Sequence, residues 1–252
     1  VGVLKLRYLS FLFFLFVSVK GFAADSEGPF KIRFELSPVW QSVNRVQIPS
    51  PGGTRFDFTS LGSGPDWNYR VDAAWRLGEN SEIRALYAPL SLTLNGQLGS
   101  NVSFQDTLFS GSADTEGLYR FNSYRLTYRH RIVHNERFLL WIGITGKIRD
   151  AEIRLTQGGT SASRTNVGFV PLLHLLSSYQ LNETLRLQLE IDALAAPQGR
   201  AEDIALLLAI RFLPNLEGFL GYRTVEGGSE GGGGVYNFAW LHYGVLGVGF
   251  QF

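Results

Sequence analysis

Apolar and polar positions alternate with period two along most of the chain, the spacing that puts successive side chains on opposite faces of a strand. In the stretch 185–193, Leu185, Leu187, Leu189, Ile191 and Ala193 share one parity, and Arg186, Gln188, Glu190 and Asp192 take the other. In 203–212, Ile204, Leu206, Leu208, Ile210 and Phe212 oppose Ala205, Leu207, Ala209 and Arg211, and in 67–75, Trp67, Tyr69, Val71, Ala73 and Trp75 oppose Asn68, Arg70, Asp72 and Ala74. A strand of a soluble sandwich also alternates, with its polar parity in water. Here the polar parity is mixed with small residues and the apolar parity is rimmed by aromatics. That is the pattern of a strand with lipid on one side and a filled lumen on the other.

The connections carry the same rhythm. Four short ones, around Asn80, Asn135, Asn182 and Asn215, hold the Asn or Pro of tight turns. They alternate with longer ones at 43–65, 96–116, 156–164, 197–202 and 227–234. Strands are expected at 29–42, 66–77, 82–95, 117–133, 137–155, 165–180, 184–195, 203–213, 216–226 and 235–252. The fold class is therefore all-β: a single closed antiparallel transmembrane up-and-down β-barrel of about ten strands, with twelve and eight as the rival counts. Closure is required because backbone groups in lipid must pair with one another. Pro171 predicts a bulge or kink. Pro89 coincides with a change of apolar parity, from Ile83, Ala85 and Tyr87 to Leu90, Leu92 and Leu94, which also reads as a bulge. The fragments TRFDFTS and NVSFQDTLF are candidates for extra strands above or inside the barrel.

Composition places this barrel. Lys5 and Arg7 precede the apolar run YLSFLFFLFVSV (Tyr8–Val19), too short to span a bilayer and followed by the small residues of GFAAD, so residues 1–24 are expected to be a cleaved signal peptide and 25–252 the barrel. Removing them takes Lys+Arg from 23 to 20 against 22 acids, a net charge of −2. The formal +1 of the whole chain is thus no sign of nucleic acid as a partner. The chain has no cysteine, which rules out disulfides, thiolate chemistry and Cys-type metal sites.

The last segment, VYNFAWLHYGVLGVGFQF, puts Tyr236, Phe238, Trp240, His242, Leu246, Val248, Phe250 and Phe252 on one parity and Asn237, Ala239, Tyr243, Gly247, Gly249 and Gln251 on the other. It resembles the C-terminal strand of Gram-negative outer-membrane β-barrels, with alternating aromatics and a final Phe. The resemblance implies a cell outer-membrane location, a surrounding of outer-membrane lipid and lipopolysaccharide, and a role for Phe250 and Phe252 as the signal read by the barrel-assembly machinery. A count of ten matches the omptin proteases, but their paired aspartates and His–Asp dyad find no counterpart on this chain.

Parity also gives an inventory of the lumen. Arg125, Arg129, Lys147, His174, Arg186, Glu190, Asp192 and Arg211 are expected to form a polar network there, with Arg131, Trp141, Thr145 and Ser178 beside them. If the turn centres near Asn182, His174 faces Glu190 and Ser178 faces Arg186. Ser178, His174 and Glu190 include the residue types of a hydrolytic relay, but Ser178 falls one residue pair nearer the periplasm, and an ion-pair network filling a narrow bore is the expected role. A shift of apolar parity between Ile144 and Ile153 lifts the segment 149–155 above the lipid. Asp150, Glu152, Arg200 and Asp203 are then expected on the extracellular rim, where a carboxylate pair is a candidate for acid–base chemistry. The four histidines show no metal-ligand spacing, and GGSEGGGG lacks the lysine and helix of a phosphate loop, so no cofactor is expected. The function that follows is a barrel with a mostly filled or narrow lumen, structural or passing small solutes. A surface binder using loops 43–65 and 96–116 and an outer-membrane hydrolase of lipid or peptide are the alternatives.

Overall fold

The computed structural model describes residues 28–252; the expected signal peptide lies outside the described residues. The strands are β1 (Phe30–Gln47), β2 (Phe56–Asp57), β3 (Asp66–Arg76), β4 (Ser81–Ala88), β5 (Ser91–Gln97), β6 (Val102–Phe104), β7 (Thr107–Phe109), β8 (Asp114–His134), β9 (Phe138–Gln157), β10 (Thr160–Gln180), β11 (Leu185–Ala196), β12 (Gly199–Leu213), β13 (Leu216–Glu230) and β14 (Tyr236–Gln251). A 3-10 turn spans Phe58–Leu61. The sheet runs β1, β3, β4, β8, β9, β10, β11, β12, β13, β14, with each neighbour antiparallel, and β14 returns to β1. β5 continues the stave of β4 and pairs with β8, so the closed barrel has ten staves. Closure is tight at the lower end: Ile32 pairs with Phe250, and Phe30 and Phe252 exchange backbone hydrogen bonds of 3.0 and 2.9 Å.

The outward parity forms an apolar belt. Ile32, Phe34 and Leu36 on β1, Leu126 and Ile144 on β8 and β9, and Leu246, Val248 and Phe250 on β14 are all exposed. Aromatics rim it. Phe30 stacks between Trp75 and Phe252 below, and Trp40, Trp240 and His242 gather above. Such a belt is stable only against lipid.

Two expected parity switches are not switches of the backbone. Glu82, Arg84, Leu86, Ala88, Leu90, Leu92 and Leu94 are all buried on one inward parity, and β4 and β5 keep one register with β8. Likewise Ile142, Ile144 and Ile148 point out while Ile153 and Leu155 point in, in unbroken register with β10. What changes is the chemistry of the bore. In the upper third it is filled by the two long loops, whose Phe56, Phe58, Leu61, Val102, Phe104 and Phe109 are buried against Val46, Leu92, Leu94, Tyr119 and Leu155. β2 pairs with the top of β1, and β6 with β7 forms a separate hairpin; these are the two candidate extra strands. An inward position facing this cap is apolar because its neighbours are.

Pro171 makes no bulge either: β10 holds its register with β9 through the Pro171–Gly146 pair. The expected long connections at 156–164 and 197–202 are in fact mostly strand, with turns at Gly158–Gly159 and Pro197–Gln198. Above the lipid both faces meet polar surroundings, so the alternation that marks a strand fades while the backbone pairing continues.

Candidate functional site

The middle of the bore is closed by charge. Arg33, Arg70, Arg84, Arg125, Arg129 and Arg223 face Glu35, Asp72, Glu82, Glu190, Asp192 and Asp203, all of them buried. Asp203 on β12 receives Arg70 from β3 at 2.9 Å, Arg125 from β8 at 2.7 Å and Arg223 from β13 at 2.6 Å. Glu190 on β11 receives Arg84 from β4 at 2.5 Å and Arg33 from β1 at 3.6 Å. Arg223 also holds Glu35 at 3.0 Å, Arg125 holds Asp192 at 2.9 Å, and Arg129 pairs with Glu82. These bridges cross the bore from wall to wall. Buried charges persist in this way only when paired and hydrogen-bonded.

The expected network is therefore present, with changed membership. His174 meets Asp192, not Glu190: the β10–β11 register pairs His174 with Asp192, Leu176 with Glu190 and Ser178 with Gln188. The turn centres one residue later than expected, because Asn182 Oδ1 accepts from the N–H groups of Thr184 and Leu185 at 2.9 Å and draws both into the turn. His174 Nδ1 lies 2.9 Å from Asp192 Oδ1, and its Nε2 faces Arg129 Nη1 at 3.4 Å. Ser178 Oγ instead lies 3.4 Å from the side-chain amide of Gln188, and among the described residues no hydroxyl bonds to the imidazole. Arg186 lies lower, 2.5 Å from Glu217, and Arg211 is exposed at the short-turn end, beside a bulge where β12 slips against β13. Arg33, Glu35, Arg70, Asp72, Glu82, Arg84 and Arg223 complete the band. The same alternation marks them, since each sits between outward apolar or small neighbours on β1, β3, β4 and β13.

The four rim candidates do not converge. Asp203 belongs to the band. Asp150 and Glu152 lie on the outer face of β9 and pair with Arg120 at 3.4 and 2.8 Å, and Arg200 pairs with Glu226 and covers the Phe238 ring. Among the described residues no group of histidines and carboxylates could hold a metal.

Two cavities flank the band. The lower one, about 420 Å³, is polar and lined by Arg129, Arg131, Trp141, Ser178, Arg186 and Gln188. The upper one, about 600 Å³, is lined by Tyr119, Phe121, Lys147, Arg149, Leu194 and Leu241 among others. It reaches the barrel wall where the wall is incomplete. The last pair between β10 and β11 is Leu173 with Ala193, yet β10 continues up to Thr160 and β11 to Ala196. Val170 and Pro171 on one side and Leu194 and Ala196 on the other line both the chamber and this gap. Pro171 has no N–H to extend the pairing. Above the gap, Arg164 Nη2 donates to Gly233 O at 3.4 Å. The result is a side window level with the upper belt, since Phe169 at its edge pairs with Ile148, which pairs with Tyr124.

No protein-family model and no curated protein matches the chain. Among solved structures it is similar to the outer membrane protease OmpT from Escherichia coli, at 12% identity over 88% of this chain and 96% of that one, with a TM-score of 0.52. It is also similar to the translocator domain of the autotransporter NalP from Neisseria meningitidis, at 14% identity over 91% and 90% with a TM-score of 0.42. The attachment invasion locus protein Ail of Yersinia pestis matches at 10% identity over 90% and 100%, with a TM-score of 0.39. At such identities the OmpT likeness shows the fold. Joined to the lipid-facing belt and the ten closed staves, it makes the chain a β-barrel of the Gram-negative outer membrane.

Proposed function

We propose that the protein is an occluded barrel that passes no steady stream of solute along its axis and works through its upper chamber, which opens sideways toward the outer leaflet. The observation that carries this reading is the band of six arginines and six carboxylates bridging the bore. The apolar loop cap above it supports the same reading, because it turns Phe56, Phe58, Phe104 and Phe109 of the two long loops inward rather than offering them to a surface partner. The hydrolase alternative lacks a nucleophile at His174. On the closing strand, Phe250 and Phe252 serve assembly, a role supported by their outward placement and their pairing with β1.

Planar-bilayer recording on the folded protein tests the axial claim. The expected result is no steady conductance, with at most brief small events. Large, persistent, porin-like steps overturn it. A heat-dependent shift on a denaturing gel establishes that the recorded protein is folded.

A further inference from the structure

Resting on that reading, we infer that the upper chamber binds a single-chain anionic amphiphile, with its acyl chain in the β10–β11 window and its head group on Lys147 and Arg149. Lys147 is 3% exposed and has no hydrogen bond or ion pair with any described residue; its contact is the face of the Phe121 ring, 4.7 Å from Nζ. The carboxylates in reach are engaged elsewhere, Asp203 by three arginines and Glu226 by Arg200. A buried ammonium without a counter-charge is costly, and an arriving anion supplies the missing partner.

Its position suits that role. Lys147 pairs across the ladder with Val170, so it stands one strand behind the window edge. Arg149 comes next on the same face, opposite Gly168. Its guanidinium bonds Asn166, and its Nε is buried without a partner. Gly168 leaves the space this requires, because a Cβ there would fall 3.1 Å from Arg149 Nη2. The two cations thus form the polar end of a chamber whose other end is Phe169, Pro171, Leu194 and Ala196. A polar end facing one anion and an apolar end facing lipid fits an amphiphile better than a sugar or a free ion. About 600 Å³ lies in the range of small-molecule sites and holds one acyl chain, not the several of a lipopolysaccharide.

The test uses the full barrel folded in an uncharged detergent. Three probes of equal chain length are titrated: an 18-carbon fluorescent carboxylate, a monoacyl phosphate, and the corresponding alcohol. Saturable binding of at least one anionic probe, at least tenfold tighter than the alcohol, is expected. Whichever anion binds tighter identifies the head group. Lys147→Met should weaken the anion about tenfold or more and leave the alcohol unchanged, while Lys147→Arg should keep anion binding. Arg149→Gln, nearer the surface, provides a second reading if Lys147→Met fails to fold. Ala196→Trp, at the exposed window edge, should slow binding of all three probes. Equal binding of anion and alcohol, unchanged by Lys147→Met, overturns the head-group assignment and leaves the chamber reading in place. Binding of none of the probes, together with steady axial conductance, overturns both.

Discussion

Glu190 sits between Arg84 at 2.5 Å and Arg33 at 3.6 Å, with almost none of its surface in water. Removing one side of a buried pair leaves the other charge stranded, which typically costs more than the pair itself contributes. Glu190→Ala should therefore destabilise the barrel by about 3 kcal/mol, read as a lower temperature for the heat-dependent gel shift. Replacing Arg84 and Glu190 together by leucine should recover part of that loss, since it also takes Arg84 from Asp72 and Glu190 from Arg33 but leaves Asp72 and Arg33 facing each other at 3.8 Å. A double variant as unstable as the single one would contradict the pairing. His174 follows a related logic. With Asp192 on one nitrogen and Arg129 facing the other, it fixes the positions of two charged neighbours, and among the described residues no hydroxyl bonds to it, the neighbouring Thr145 donating to Asp192 Oδ1 instead.

The window and the cap are properties of elements. β10 has a partner on only one side above Leu173, and Pro171 blocks an easy extension of the β11 pairing. In Pro171→Val the missing N–H is restored. The pairing is then expected to extend past Ala193 to Ala195, which the register places opposite position 171, giving slower amide hydrogen exchange at Ala195 and a slower entry of amphiphile. Unchanged exchange there would mean that something other than proline holds the strands apart. The cap depends on buried aromatics: Phe58 and Phe104 are wholly buried, and Phe56 packs edge-on against Phe104 at 6.3 Å. Phe104→Ala should cost the cap about 3–5 kcal/mol, because the ring leaves a cavity that the small hairpin is poorly built to fill. Limited proteolysis should then cut within the loop 98–113 while the barrel itself stays resistant. Barrel unfolding in step with the loop would show that the two are a single cooperative unit.

For the whole molecule, the bore has three storeys: a polar vestibule at the short-turn end, a charged band, and an upper chamber beside an apolar cap. A ten-stranded barrel is little wider than one whose interior side chains fill it, and here twelve long charged side chains fill the middle. Cap and band are separate obstacles, so removing one leaves the other. Deleting the loop 98–113 should accordingly change protease sensitivity at the mouth without opening a steady axial current in planar bilayers. A porin-like current from that deletion variant would place the barrier in the cap instead of the band.

The alternation by itself determined the barrel and the residues that face lipid, and with the rhythm of the turns it favoured ten staves over twelve or eight. Period two is a local property of the backbone, and the lipid demands one chemistry of every outward position. It also placed four of the twelve central charges in the lumen, Arg125, Arg129, Glu190 and Asp192, together with His174. Tertiary structure decided who meets whom. A one-residue difference in the centre of the Asn182 turn gives His174 to Asp192 instead of Glu190, and Asp203 joins the band because arginines from three distant strands reach it. The inward leucines of β5 and the inward Ile153 and Leu155 of β9 imitate a change of face in the sequence. Only the folded loops show that the face is constant and that its surroundings change. The window has the same origin. Pro171 is visible in the chain, but the gap is a relation between two strands, set by where their pairing stops, and local periodicity carries no record of it.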